Sequence, residues 1–132
     1  MKHGVCAVTG SRAEYGLLYP LLSKLSNDNG IELHLVVTGS HLCGAFGDTQ
    51  CEIENSGLTI DERIPIPLEG DSKALIAKAT GAALCSFADY FAENRPDLLI
   101  LLGDRYEIFA AAIAASLQGI PIAHLYGGET TV

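Results

Sequence analysis

Four short segments of this chain combine glycine with side chains that hold anions or move protons. The first is Thr9-Gly10-Ser11-Arg12-Ala13-Glu14-Tyr15-Gly16, a turn opening a helix. Free backbone N–H groups and the helix dipole attract negative charge there, and Arg12 adds a forked donor suited to a phosphate. The plain alternative is a tight turn in which Ser11 caps the helix and Arg12 is solvated. The second segment, Thr38-Gly39-Ser40-His41-Leu42, offers a hydroxyl and an imidazole that could reach a sugar or its phosphate. A solvated loop histidine is the alternative for His41.

The third segment, Leu102-Gly103-Asp104-Arg105-Tyr106-Glu107, sets a carboxylate between an apolar run and a helix. Asp104 reads either as a helix cap or, in a desolvated cleft, as an acid or base working near neutral pH. The fourth is His124-Leu125-Tyr126-Gly127-Gly128-Glu129, where glycines let backbone approach a ligand and Glu129 would join Asp104. His124 reads as packing within its strand. Two carboxylates at neighbouring strand ends are a stronger pointer to proton transfer than either alone.

Other chemistries find no support. Gly10 and Gly16 fit neither G-x-G-x-x-G nor G-x-x-x-x-G-K-[ST]. The second strand runs into Thr38-Gly39 and lacks the acidic residue that would hold a dinucleotide ribose. Cys6, Cys43, Cys51 and Cys85 have no Cys-x-x-Cys spacing, so reduced, mostly buried thiols are expected, with neither a metal site nor a cofactor.

These segments need a scaffold that brings them to one place. Val5–Val8, Leu33–Val37, Leu98–Leu102 and Ile120–Leu125 are apolar runs without alternation, as strands buried on both faces are. Thr59–Ile66 is weaker, with Pro65 and three consecutive charges, and reads as an edge strand. Between them lie helical patterns. Ala13, Leu17, Leu18, Leu21, Leu22 and Leu25 form one apolar stripe, and Pro20, which removes the bond to the Gly16 carbonyl, should kink or split the first turn of that helix. A second helix starts at Thr49, which with Glu52 fits a capping box, a third spans about 72–93 and a fourth about 105–117. Alternating strands and helices imply an α/β, Rossmann-like parallel sheet of order 3-2-1-4-5 with helices on both faces. In such sheets ligands bind beyond the carboxyl ends of the strands, where all four segments fall.

At 132 residues the chain is one domain of ordinary size. Its net charge of -8 repels phosphate backbones, and its few Lys and Arg form no basic stripe, so no nucleic-acid partner is expected. No apolar run approaches the ~20 residues of a membrane span. With no signal-like start at Met1-Lys2-His3-Gly4, a soluble, cytoplasmic protein is expected.

Taken together, Gly-Ser-Arg-Ala-Glu-Tyr-Gly, Thr-Gly-Ser-His-Leu followed by Phe46-Gly47-Asp48-Thr49, Leu-Gly-Asp-Arg and His-Leu-Tyr-Gly-Gly-Glu resemble the UDP-N-acetylglucosamine 2-epimerase family. The blocks occur in the family's order across nearly the whole chain. Arg-Ala-Glu-Tyr-Gly and Gly-Asp-Arg look like the hydrolysing, sialic-acid branch; the reversible branch carries Lys and Gln where this chain has Leu17 and Ser40.

The resemblance implies the N-terminal half of a two-domain GT-B-type fold, with a second domain beyond Val132 supplying uridine contacts and a further histidine. It implies elimination of UDP to a glycal, then hydration to N-acetylmannosamine with C2 inverted. Carried over by motif, Arg12, Gly16 and Arg105 lie at the UDP, His41 lies near the substrate, and Asp104 and Glu129 are the acid/base groups. Many relatives have Glu or His at Tyr126, a departure that shifts proton handling toward Glu129. A homodimer of the full-length protein is also implied. The competing readings are a glycosyltransferase of the same architecture and a non-catalytic nucleotide-sugar-binding domain.

Overall fold

A computed structural model describes residues 2–42, 49–66, 70 and 72–126. Strands β1 (His3–Thr9), β2 (Ile31–Thr38), β3 (Glu62–Ile64), β4 (Leu98–Leu102) and β5 (Ile122–Leu125) form one parallel sheet in the order β3-β2-β1-β4-β5. Helices α1 (Arg12–Ser26), α2 (Thr49–Asn55), α3 (Lys73–Glu93) and α4 (Tyr106–Leu117) connect them, with a short 3-10 turn at Gly39–Leu42 after β2. The expected strand order is the observed one. Its pairing runs from His3 opposite Ile31 to Thr9 opposite Val37, and β1 meets β4 from Val5 opposite Leu98.

Successive strand side chains point to opposite faces, and both faces are covered. Val5, Ala7, Leu35, Val37 and Leu102 pack with Tyr15, Leu18 and Leu22 of α1 and Ile53 of α2. Cys6, Val8, Val36, Leu99 and Leu101 pack with Phe87 and Phe91 of α3 and the alanines of α4. This explains the unbroken apolar runs: a strand with two dry faces needs no polar alternation. Small residues at Ala83, Ala111 and Ala115 let α3 and α4 lie close together on their side of the sheet.

Three local expectations are corrected. The buried stripe of α1 is Tyr15, Leu18 and Leu22, while Leu17 and Leu21 are 54% and 37% exposed. At 3.6 residues per turn, the sheet covers the row i, i+4 from Glu14 through Leu18 to Leu22, and Leu17 and Leu21 fall to its side. Pro20 does not split α1, which runs as one helix of 15 residues. Thr49 and Glu52 form no capping box: the Thr49 hydroxyl bonds to His41 and the Glu52 carboxylate to Arg12.

The edge strand shortens to Glu62–Ile64, held where Asp61 accepts the Leu35 N–H at 2.7 Å and donates its own N–H to the Leu35 carbonyl at 2.8 Å. Of the cysteines, Cys6 is buried but Cys51 and Cys85 are exposed, and Cys43 lies outside the described residues. No helix among the described residues is long and apolar enough to cross a membrane.

Candidate functional site

The chain leaves β1 toward β2 on one side of the sheet, while β4, on its other side, is followed by β5. The β1–β4 seam is therefore the switch point at which this architecture opens a crevice. The turns after β1, β2 and β4 converge there. Gly39 (φ +61) and Gly103 (φ +86) adopt left-handed backbone, which costs glycine little and other residues more.

Behind these turns lie two carboxylates, Glu14 from α1 at 6% exposure and Glu107 from α4 at 0%. The Gly10 N–H donates to Glu14 Oε1 at 2.9 Å. A Cβ placed on Gly10 would stand 2.5 Å from Glu107 Oε1, and one on Gly39 would stand 2.9 Å from the same oxygen. One on Gly103 would come within 3.2 Å of Glu14 Oε2. Three glycines thus pack onto two buried acids, Gly10 and Gly39 too close for an added Cβ unless Glu107 shifts and Gly103 at a tight contact.

The electrostatics follow from this packing. Burial pushes the Glu14 carboxyl above its ordinary range; the Gly10 N–H opposes the rise, the Glu107 carboxylate adds to it, and Arg105 and Ser11 oppose it. Arg105 Nε donates to Glu107 Oε1 at 2.5 Å, with the guanidinium side chain 46% exposed. That bond, more than any other contact, holds Arg105 in its charged form. The second oxygens of both acids, Glu14 Oε2 and Glu107 Oε2, are buried without a hydrogen-bond partner.

The residues singled out in the sequence fall into place around this pair. Ser11 is the N-cap of α1, its hydroxyl accepting from the Glu14 N–H at 3.3 Å. Arg12 is neither solvated alone nor turned inward: its Nε donates to Glu52 Oε2 at 2.9 Å, and a second guanidinium nitrogen pairs with Oε1, tying α1 to α2 at the surface. Gly16 is exposed on α1, with open space beside it.

His41 is 2% exposed, so it is not a solvated loop histidine. Thr49 Oγ1 lies within reach of both the His41 carbonyl, at 3.3 Å, and Nδ1, at 2.9 Å. Nε2 lies 3.0 Å from the Thr9 hydroxyl, whose proton is also within reach of the Ser11 carbonyl at 3.4 Å. Burial lowers the pKa of this ring to about 4, so it is neutral at physiological pH.

Asp104 is exposed and does not cap α4; the cap position belongs to Arg105, which makes no side-chain cap bond. His124 is exposed, not packed within its strand, and its Nε2 donates to the Gly103 carbonyl at 2.6 Å. Asp104 and His124 border a largely apolar cavity of about 310 Å³ lined also by Leu101, Ile108, Phe109 and Ile122. Glu129, with Gly127 and Gly128, lies outside the described residues.

Glu14 and Glu107 were not among the expected site residues, yet a signal for them exists. Glu14, Leu18 and Leu22 are spaced by four, as are Glu107, Ala111 and Ala115, and all six are buried. An acid in register with a helix's core face must be buried, and a buried acid requires a purpose-built surrounding.

Residues 23–132 match the family model described as UDP-N-acetylglucosamine 2-epimerase. The chain is 40% identical over 99% of its length to a GDP/UDP-N,N'-diacetylbacillosamine 2-epimerase (hydrolyzing) of Campylobacter jejuni, covering 34% of that protein. It is 44% identical over 95% of its length to a polysialic acid biosynthesis protein of Escherichia coli, covering 32% of it. Its fold overlays the crystal structure of a Neisseria meningitidis UDP-GlcNAc 2-epimerase bound to UDP-GlcNAc with a TM-score of 0.82 at 25% identity, over 97% of this chain and 33% of that one. The chain thus spans about a third of the length of the relatives it matches. With the sheet order, the switch-point turns and the sequence match in agreement, this chain belongs to the UDP-N-acetylglucosamine 2-epimerase family.

Proposed function

We propose that this chain is the N-terminal domain of a hydrolysing UDP-N-acetylglucosamine 2-epimerase and forms the sugar-and-diphosphate half of its cleft. The observation that carries this reading is the pair of neighbours at the switch point: Arg105, a cation fixed by a buried carboxylate, beside Asp104, an exposed carboxylate that caps no helix. A fixed cation stabilises charge developing on a leaving diphosphate, and an adjacent carboxylate can take or return a proton at the sugar. The relatives at 40–44% identity, two of them with hydrolysing 2-epimerases among their names, support the same assignment.

In this scheme Asp104 and Glu129 divide the acid and base work at C2. The C2 proton leaves to one carboxylate as the C1–O bond to UDP breaks, giving a glycal. Water then adds across the double bond, with the proton returned to C2 from the opposite face, and N-acetylmannosamine is released. Arg105 holds the diphosphate, and Arg12 joins it by exchanging Glu52 for a phosphate. The bare surface at Gly16 leaves room for the nucleotide. His41, with both ring nitrogens engaged, serves the substrate by fixing the loop after β2. A second domain supplies uridine contacts and, by closing, the desolvation that exposed Asp104 needs; the full-length protein acts as a homodimer in the cytoplasm.

The test is to incubate the full-length protein with UDP-N-acetylglucosamine and, separately, with UDP-N,N'-diacetylbacillosamine, and to follow UDP release and the configuration at C2 of the freed sugar. Free, C2-inverted sugar is expected from at least one of them, with negligible turnover by the 132-residue chain alone, since half a cleft positions a substrate poorly. Transfer that depends on an added acceptor would instead make it a glycosyltransferase, and binding without turnover would make it a nucleotide-sugar sensor.

A further inference from the structure

One half-exposed guanidinium is bonded to one buried carboxylate, Glu107, while its charge also acts on a second, Glu14, and this arrangement is unbalanced. Glu107 Oε1 is occupied by Arg105 and Glu14 Oε1 by the Gly10 N–H, but the second oxygen of each acid has no partner. An ionised carboxylate oxygen stranded in a dry site is costly, while a protonated one is far less so. The groups acting on Glu14 are few: Ser11 and the Gly10 N–H from its own turn, and Glu107 and Arg105 from α4, with Tyr106 acting on Arg105 and itself influenced by Glu107. Among them Arg105 is the one cation, and it favours ionisation of Glu14.

We propose that Glu14 and Glu107 act together behind Arg105: Glu107 positions the guanidinium for a bound diphosphate, and Glu14 takes up a proton when that diphosphate arrives. The inference rests on the reading of Arg105 as a diphosphate contact. Its physical basis is competition for one cation. When phosphate oxygens take a share of the Arg105 charge, the field that favoured a Glu14 carboxylate weakens, while the Glu107 carboxylate and the dry surroundings remain. The balance is simple: one proton moves from buffer to a Glu14 carboxylate oxygen, forming one O–H bond, and nothing else is made or broken. Burial of the pair gives the new proton a place at the stranded oxygen. Glu107 is thus the positioning residue, while Glu14 responds to the Arg105 charge and touches no substrate atom.

The experiment is calorimetric titration of UDP into the full-length protein at pH 7 in buffers of different ionisation enthalpy, for the natural protein and for Glu14→Gln. UDP carries a terminal phosphate that itself titrates near pH 6, so the difference between the two proteins is the quantity read. The natural protein is expected to take up more protons than Glu14→Gln, by a sizeable fraction of one. Its UDP affinity should rise more steeply as pH falls, with a limit of about tenfold per pH unit for one linked proton. Glu107→Asp, which keeps the charge but shortens its reach, should weaken UDP binding while retaining some uptake. Should both proteins bind UDP with the same proton uptake, the linkage is wrong although the diphosphate site stands. Absence of UDP binding by the natural protein would remove the diphosphate site and the linkage together.

Discussion

Arg105 Nε lies 2.5 Å from Glu107 Oε1, joining a guanidinium that is 46% exposed to a carboxylate with no exposure. The ion pair therefore has a dry end and a wet end. The dry end fixes the geometry, and the wet end offers donors to a ligand. Arg105→Lys should separate these roles. A lysine keeps charge near Glu107 but loses the planar fork that can hold a carboxylate and a phosphate at once. UDP affinity is expected to fall by about tenfold or more, the loss of a charge-assisted hydrogen bond of about 1.5–3 kcal/mol. The thermal midpoint should fall far less than in Arg105→Ala, which leaves Glu107 buried and unpaired. Titration calorimetry and melting curves on the same preparations check both.

Gly10 is in contact with both acids, its N–H bonded to Glu14 and its Cα facing Glu107. Gly10→Ala would bring a methyl group to 2.5 Å from Glu107 Oε1 and 2.8 Å from its Cγ. Because Glu107 is held by Arg105 in a dry site, it has little freedom to retreat. The expected cost is that of overpacking, about 1–3 kcal/mol, with UDP affinity falling as Arg105 is displaced. Gly16→Ala is the control: nothing lies within 4 Å of the added atom, and an alanine in a helix should stabilise the domain by about 0.5–1 kcal/mol. Denaturant unfolding of both variants decides it; equal stabilities would mean that Glu107 yields freely.

His41 gives the domain an acid limb. Its folded pKa of about 4 lies below the ordinary 6.5, so the unfolded chain binds the proton more readily. The stability is therefore present above pH 6.5 and is lost as pH falls from there toward 4, by roughly 3 kcal/mol in total. Glu14 acts in the opposite sense. Its folded pKa is raised, so its contribution is complete below the ordinary carboxylate range and is lost as pH rises through the folded value. His41→Gln should be less stable than the natural chain at pH 7, with the gap narrowing on acidification. Glu14→Gln should gain stability relative to the natural chain as pH rises. Urea unfolding at several pH values measures both; a constant gap for His41→Gln would show that the ring does not titrate as its burial requires.

The sheet was legible because its strands are dry on both faces: Val5-Cys6-Ala7-Val8 and Leu98–Leu102 have no polar position to confuse the pattern. The edge strand was legible through its charges and Pro65. Helix faces were less so, because apolar content alone does not tell which leucines meet the sheet. Leu17 and Leu21 satisfy the periodicity as well as Leu18 and Leu22 do, and their exposure follows only from how α1 lies across the strands. The site was half legible. Asp104 and Arg105 stand out by position after an apolar run, whereas Glu14 and Glu107 pass for ordinary acids in the first turn of a helix. Their burial depends on the glycines of three separate turns meeting at one seam, a tertiary fact. His41 misleads for the same reason: its partners, Thr9 and Thr49, are 32 and 8 residues away.

Asp104 offers the cleanest separation of chemistry from folding. It is exposed, supplies no cap bond to α4, and sits one residue from the guanidinium proposed to hold the leaving diphosphate. Losing its charge should cost the fold little, since exposed substitutions away from caps and pairs usually change stability by less than about 0.5 kcal/mol. Asp104→Asn in the full-length protein keeps the shape and removes the proton acceptor. Release of UDP from UDP-N-acetylglucosamine is expected to fall by about 100-fold or more, the usual range for a positioned acid or base. UDP binding should hold within a few-fold, because Arg105 and Glu107 are untouched. The pattern to look for is therefore a large drop in kcat with little change in UDP affinity and an unshifted melting curve. Near-normal turnover would place the proton transfer elsewhere, with Glu129 the next residue to change.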